Sequence, residues 1–85
     1  MNKILVDVFC PATSTAYDFW IPKKMTVETA TKKISEEICA HEGNELLFGD
    51  RQRVLLFSRK TERVLAAAGT LEECGVRGGD RLAIL

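Results

Sequence analysis

A single amphipathic stretch between Thr26 and Gly43 constrains the fold more than any other feature of this sequence. Its apolar residues recur with the period of a helix that has one buried side. They are Val27, Ala30, Ile34 and Ile38. Thr26 is a good N-cap, and Gly43 is a natural stop because glycine readily adopts the left-handed conformation that ends helices. The sequence therefore predicts one helix whose apolar side must be covered by another layer.

Two strands joined by a loop are predicted before the helix. Residues 3–9 and 16–21 alternate between apolar and polar positions, which is typical of strands with one buried face. The loop between them contains Pro11, which cannot donate to a sheet ladder, so the two segments predict a β-hairpin. Trp20 shares the parity of Asp18, and we expect its side chain to lie outside the core. Cys10, at the start of the loop, is expected to be exposed.

Three further strands are predicted after the helix, at residues 53–58, 63–65 and 81–85. The first and last strands of the chain are strongly apolar on one parity, as central strands covered by a helix are. The second and fourth strands are the candidate edges. Gly78-Gly79 is expected to supply positive φ values in a tight turn before the last strand. The predicted class is α+β, a mixed sheet of four to five strands packed on one helix.

Length and composition exclude several functional classes. The chain has 85 residues, which predicts a single domain over residues 1–85. It carries 12 basic and 12 acidic residues, a balance that disfavours a general nucleic-acid binder. Three widely spaced cysteines and one histidine suit neither a disulfide framework nor a zinc site. No apolar run approaches the ~20 residues that span a bilayer. We expect a cytoplasmic protein with no cofactor, no small-molecule substrate, no nucleic-acid partner and no direct membrane insertion.

Three segments of the sequence resemble the ubiquitin superfamily. Residues 26–34 look like the opening of the ubiquitin helix, residues 52–57 like its third strand, and residues 70–84 like its closing segment. The middle departs from the pattern, because the helix exit at residues 39–43 and the turn at residues 59–62 are longer. The ending, residues 71–85, is similar to that of the YukD family, small bacterial ubiquitin-like proteins associated with type VII (WXG-type) secretion. The resemblance implies a β-grasp fold and a partner among the secretion-system components.

The Gly78-Gly79 pair has two interpretations. Ubiquitin-type modifiers and sulfur carriers place Gly-Gly at an exposed C-terminus, where an activating enzyme reaches the carboxylate. Here the pair precedes a predicted strand, and Leu85 stands at the end of that strand. We therefore expect a turn and no conjugation to targets. A modifier or sulfur carrier is one alternative, and a self-associating structural domain, a homo-oligomer, is another.

Apolar residues on the parity that faces away from the helix predict a protein-binding face. They are Leu5, Trp20, Leu55, Phe57, Ala83 and Leu85. Scattered exposed apolar residues need no explanation, whereas several on one sheet face form a patch of the kind that marks interfaces. The parity of the third strand is left open by the sequence. If Leu55 and Phe57 point inward, Val54 and Leu56 replace them in the patch.

Basic residues gather in the segment 51–63, which spans the predicted third strand and the turn after it. They are Arg51, Arg53, Arg59, Lys60 and Arg63, with Glu62 as the one acidic residue among them. This segment is either an ordinary solvated surface or a docking patch for an acidic partner or, more weakly, for nucleic acid, although no interleaved aromatic residues support base stacking.

No residues with the spacing of a catalytic centre are found, and we expect no enzyme activity. Cys39 and Cys74 are expected to be buried structural cysteines. His41 lies two residues from Cys39, and residues two apart on a helix point to different faces.

Overall fold

One helix and five strands make up the part of the chain that the structure, a computed structural model, describes, namely residues 2–49 and 54–85. In chain order these are β1 (Lys3–Cys10), β2 (Thr15–Pro22), α1 (Val27–Glu42), β3 (Leu56–Ser58), β4 (Arg63–Val64) and β5 (Arg81–Ile84). The strand order is β2-β1-β5-β3-β4. The last strand pairs parallel with β1 and antiparallel with β3. The predicted α+β class is confirmed, with the first and last strands at the centre and the second and fourth at the edges.

The core lies between α1 and one face of the sheet. Val6 and Val8 of β1 and Leu82 and Ile84 of β5 are fully buried, because alternate side chains of a strand point to the same face. The helix covers them with the buried side predicted from its periodicity. Its buried residues are Val27, Ala30, Thr31, Ile34 and Ile38. Burying an isoleucine side chain contributes about 1.5–3 kcal/mol, so this helix–sheet contact is the main source of stability.

Both ends of α1 are closed as the sequence predicts. The Thr29 N–H donates to Thr26 Oγ1 at 3.2 Å, which satisfies one of the unpaired amides of the first turn. Gly43 ends the helix with φ at 68°, and the Asn44 N–H donates to the Cys39 carbonyl at 3.0 Å. Few residues other than glycine adopt this left-handed conformation without strain, so the position of Gly43 sets the length of the helix.

The strands after the helix are shorter than predicted, and the structure determines which residues of the third strand face the core. β3 begins at Leu56, and Arg53 lies outside the described residues. Leu56 and Ser58 face the core, so Leu55 and Phe57 face away from it, as the first of the two interpretations has it. Leu85 extends the pairing beyond β5, because its N–H and carbonyl both bond with Leu55, at 2.9 and 3.0 Å.

The expectation that Cys10 is exposed is wrong. β1 continues through this residue, and its even-numbered side chains face the helix. Cys10 therefore follows Val6 and Val8 into the core and is fully buried.

The turn before β5 is held by Asp80 and by one glycine. Gly79 has φ at 88°, and its N–H donates to the Leu5 carbonyl at 2.7 Å; Gly78 does not have positive φ, so the prediction for the pair holds for Gly79 alone. Asp80 Oδ2 accepts from the Arg77 N–H at 2.9 Å and from Lys60 Nζ at 3.0 Å. Partial burial works against ionisation, but these donors prevail and hold the pKa of Asp80 below its ordinary value of 3.8.

The far end of the helix is tied to the hairpin by Tyr17. Its hydroxyl donates to Glu42 Oε2 at 2.6 Å, and the Thr13 hydroxyl lies 2.9 Å from it. The His41 ring packs edge-on against the Tyr17 ring, with centroids 6.0 Å apart. The hydrogen bond to Glu42 raises the pKa of Tyr17 above its ordinary value of 10.0, because the phenolate would face a carboxylate.

We predict that Tyr17 ionises above pH 10.0, and the chain has one tyrosine, so its absorbance reports this residue alone. A raised folded-state pKa means that the Tyr17–Glu42 contact stabilises the fold below the unfolded-state pKa and stops doing so as pH rises through the folded-state pKa. Spectrophotometric titration of the folded chain tests this. Glu42→Gln should bring the midpoint back toward the ordinary value, and an unchanged midpoint in that variant would contradict the assignment.

We predict that Asp80→Asn lowers the free energy of unfolding at neutral pH by about 1 kcal/mol, since it removes the negative charge that strengthens two hydrogen bonds at a site that solvent partly screens. Because the folded-state pKa of Asp80 is depressed, its ionised carboxylate stabilises the fold above pH 3.8. This stabilisation is lost as pH falls through the lower folded-state pKa. Urea unfolding at several pH values should therefore show the variant and the parent converging in acid. Lys60→Met is the control, and in the Asp80→Asn background it should cost less than it does alone. Equal costs would mean that Lys60 and Asp80 do not interact.

Candidate protein-binding face

The face of the sheet that points away from α1, here called the outer face, is organised in rows that run across the strands. The register places Phe9 of β1 beside Ala83 of β5, Ala83 beside Phe57 of β3, and Phe57 beside Val64 of β4. Residues directly opposite each other on neighbouring strands have Cβ atoms about 4.5–5.5 Å apart. These four side chains therefore form one continuous apolar row across four strands.

Leu55 and Leu85 extend this row into a patch. They bond to each other through both backbone groups. Leu55 lies two residues from Phe57 and Leu85 lies two residues from Ala83, so all four share the outer face. We define the apolar cluster as Phe9, Leu55, Phe57, Val64, Ala83 and Leu85. Leu55, Val64 and Leu85 are 45%, 50% and 54% exposed, so the patch is open to solvent. Ala83 is 8% exposed, and its small side chain leaves a shallow depression between the two phenylalanines.

A charged row interrupts the outer face. Asp18 lies opposite Asp7, and Asp7 lies beside Arg81. Arg59 continues the row, because its N–H donates to the Arg81 carbonyl at 3.1 Å. The row is acidic on β2 and β1 and basic on β5 and at Arg59, which directly follows β3. We call these four residues the charged row.

The six residues predicted for the binding face fall on both sides of the charged row. Leu55, Phe57, Ala83 and Leu85 come together in the apolar cluster. Leu5 and Trp20 are cross-strand partners on the other side, about 13 Å along the strand from the level of Phe9. Trp20 is 67% exposed, which confirms that it lies outside the core. The structure thus divides the predicted face into two separate apolar sites.

Two members of the apolar cluster were not identified from the sequence. Phe9 shares the parity of Lys3 and Asp7, so the alternation along β1 already indicates that its side chain faces away from the helix. Val64 lies in a strand of two residues, which is too short to show any period. Its place beside Phe57 follows only from the pairing of β3 with β4.

The predicted basic patch is partly engaged in holding the fold. Arg51 and Arg53 lie outside the described residues. Arg59, Lys60 and Arg63 are exposed, but Lys60 Nζ contacts Asp80 and the Gly75 carbonyl, the latter at 3.2 Å. Arg81, which sequence analysis did not include, stands beside Arg59 instead. The basic residues on the outer face beside the apolar cluster are therefore Arg59 and Arg81, because Arg63 pairs with the core-facing Ser58.

The cysteines and the histidine are not assembled into a site. Cys39 and Cys74 are half-buried, which differs from the full burial expected for both. Cys74 Sγ lies 3.9 Å from the Ala66 carbonyl, whereas His41 contacts Tyr17. No helix among residues 2–49 and 54–85 is long and apolar enough to cross a membrane.

Solved structures of ubiquitin-like proteins share this fold. A chain of the ESX-5 inner membrane complex superimposes with a TM-score of 0.79 at 21% identity, covering 100% of this chain and 21% of that one. The N-terminal ubiquitin-like domain of the 4931431F19Rik protein gives 0.75 at 19% identity, over 99% of this chain and 74% of that one. Caldiarchaeum subterraneum ubiquitin gives 0.68 at 18% identity, over 96% and 90%.

The family follows from the sequence match, since identities this low show only a common fold. No curated protein matches the chain. The family model described as "WXG100 protein secretion system (Wss), protein YukD" matches residues 4–84. Because that match covers nearly every residue of the β-grasp domain, the chain belongs to the YukD family of the WXG100 secretion system.

Proposed function

We propose that this chain is a non-catalytic binding module that docks onto a component of the WXG100 secretion apparatus through its outer face. The observation that carries the proposal is the apolar cluster. Three of its side chains are about half exposed on adjacent strands, and contiguous patches of this kind mark interaction surfaces. Covering them with a partner would remove apolar area from water, at roughly 25 cal/mol per Å² before the costs of association.

The family supports a secretion partner. The YukD family takes its description from the WXG100 system. In the ESX-5 inner membrane complex, a domain of the same fold forms 21% of a longer chain. The ESX-5 inner membrane complex thus contains a domain of this fold, and we infer that this chain meets a comparable assembly by binding.

Charge narrows the chemistry of the partner. Arg59 and Arg81 lie on the outer face, at the edge of the apolar cluster. A partner surface with an apolar centre and acidic residues at its rim would complement them, and such rims mainly raise the association rate and select the partner.

A catalytic role is not supported by the described residues. Nucleophilic catalysis by a thiol requires a base within hydrogen-bond reach. Cys10 is fully buried, and the His41 ring packs edge-on against the Tyr17 ring. We therefore propose that binding is the whole of the activity.

We also propose that Gly78-Gly79 is not a conjugation site. Gly79 is fixed in the turn by its bond to Leu5. Cleavage after it would remove β5, whose Leu82 and Ile84 are fully buried in the core and whose backbone joins β1 to β3. A glycine in this position cannot present a carboxylate without dismantling the sheet.

We predict that Leu55→Asp with Leu85→Asp reduces recovery of secretion components at least tenfold in affinity purification from the native host. Each change places a charge where an apolar contact is needed. Both side chains are exposed, but the two aspartates would lie directly opposite each other, so circular dichroism must show that the variant is folded before its recovery is compared. Leu46→Asp is the matched control, because Leu46 is 68% exposed in the segment after the helix. Equal recovery by the double variant would remove the outer face from consideration, and recovery of no secretion component by the parent chain would overturn the proposed function.

We predict that intact-mass spectrometry of the cellular protein finds neither an isopeptide adduct nor a thiocarboxylate. The Gly79→Ala variant provides a second comparison, between its mass spectrum and that of the parent chain. The variant should be less stable, because φ at 88° strains any residue with a Cβ. Apart from the substitution itself, its mass spectrum should match that of the parent. A mass-shifted species that is present in the parent and absent in Gly79→Ala would contradict non-conjugation.

A further inference from the structure

The sizes of the side chains on the outer face alternate across the sheet. The register places Ala16 of β2 opposite Phe9 of β1, and Phe9 beside Ala83 of β5. Ala83 in turn lies beside Phe57 of β3. These four residues, here called the packing row, are therefore small, large, small and large from β2 to β3. A copy of the packing row laid over it in the reverse direction sets each phenylalanine over an alanine.

The charged row shows the same reversal in sign. It runs from two acidic residues on β2 and β1 to two basic residues on β5 and just beyond β3. A copy laid over it in the reverse direction sets each carboxylate over a guanidinium. The charged row lies two residues along the strands from the packing row, so both rows reverse about the same line, midway between β1 and β5.

The charges of this row have no ion-pair partner among residues 2–49 and 54–85. Both ion pairs recorded for this part of the chain join other side chains. Within the row, Asp18 lies directly opposite Asp7, and like charges placed in this way repel each other. Arg59 and Arg81 are neighbours in the same manner. The row therefore offers two adjacent carboxylates and two adjacent guanidiniums to countercharges from outside the chain.

We propose that two copies of this chain pair through their outer faces, related by a two-fold axis that lies between the sheets along the line midway between β1 and β5. Such an axis brings the same surface of each copy into contact, so every contact occurs twice. Rotation about it reverses both rows. Phe9 then fills the shallow depression over Ala83 of the second copy, and Asp7 faces Arg81 of the second copy.

A second copy is the occupant that this face fits, because two independent properties match under one rotation. Stacked sheets lie about 10 Å apart with their strands within about 30° of each other, and side chains from both faces fill that gap together. The packing row supplies a large side chain over a small one at each of its four positions. The charged row supplies opposite charges at each of its four positions, which fixes the register of the pair.

The pairing is expected to be weak. From β2 to β3 the face is four strands wide, at about 4.8 Å between strands, and it is roughly 20 Å long. Each copy therefore covers on the order of 400 Å² in projection, at the small end of specific interfaces. Exposed charge pairs add little net stability. The dimer is thus of the transient class, and its measurement needs sub-millimolar concentrations of the chain.

This pairing uses the same face as the proposed function and adds a form of regulation to it. A paired chain cannot present the apolar cluster, so a secretion component would compete with the second copy. The competition rests on the proposed function, whereas the pairing itself rests only on the two rows.

Charge exchange across the axis tests the pairing. In a homodimer, Asp18→Lys and Arg59→Glu each set like charges against each other twice. Each variant alone should therefore self-associate at least tenfold more weakly than the parent in sedimentation equilibrium. An equimolar mixture of the two variants should recover the affinity of the parent, because the exchanged residues face each other across the axis and both contacts again join opposite charges.

Asp18→Lys mixed with Arg81→Glu is the matched control. This mixture carries the same changes in net charge, but the exchanged residues do not face each other, so two contacts between like charges remain. It should associate at least tenfold more weakly than the mixture of Asp18→Lys with Arg59→Glu. Equal affinity of the two mixtures would overturn the arrangement, and so would a parent chain that sediments as a monomer at every concentration.

Two checks accompany the exchange. Circular dichroism shows whether each variant folds, and all three substitutions are at exposed residues. If Arg59→Glu does not fold, Asp7→Lys mixed with Arg81→Glu makes the same comparison at the centre of the row. Dilution of the ¹⁵N-labelled parent should move the amide resonances of Phe9 and Ala83. Shifts confined to the edge strands β2 and β4 would assign the pairing to an edge and overturn the proposal.

Failure of the pairing and failure of the proposed function give different results. A parent chain that stays monomeric but recovers secretion components from the native host would overturn the pairing and support the proposed function. A parent chain that pairs as expected but recovers no secretion component would overturn the proposed function and support the pairing.

Discussion

The placement of β5 between β1 and β3 is the constraint on which the rest of the structure depends. The strand has four residues, yet it joins the hairpin on one side to the β3–β4 pair on the other. Its Leu82 and Ile84 meet the buried side of the helix, and its Ala83 sits in the apolar row on the outer face. A strand that enters last in the sequence and lies at the centre in space requires contacts between distant parts of the chain. The helix is formed locally, but the layer that it covers is complete only when β5 is in place.

The turn before β5 explains why so small a strand is positioned so firmly. Gly79 bonds to β1 and Asp80 bonds to Arg77 and Lys60. The lysine arrives from the β3–β4 connection, so the Asp80 carboxylate links that connection to the turn before β5. This also explains why part of a basic surface segment contributes to folding. Charge counted along the sequence does not distinguish a lysine that holds a turn from one that faces a partner.

Local patterns predicted most of the fold, and tertiary pairing determined most of the site. The helix ends at Thr26 and Gly43 follow from capping chemistry, and Trp20 outside the core follows from parity. Cys10 was misplaced because the end of a strand depends on its partner, and β2 pairs with β1 as far as this residue. The division of the outer face has the same origin. Leu5 and Leu55 share an orientation, but only the register shows that Asp7 and Arg81 stand between the two apolar sites.

The charged row gives the outer face a direction. Its acidic half, Asp18 and Asp7, lies on β2 and β1, and its basic half, Arg81 and Arg59, lies on β5 and just beyond the end of β3. An apolar patch alone allows a partner to approach in several orientations, because hydrophobic contact has little directionality. A partner with a complementary stripe fits one way round, and after a half-turn about the axis normal to the sheet it would set like charges against each other. On the docking face that we propose, the row that divides the apolar surface would therefore favour a single orientation of the partner.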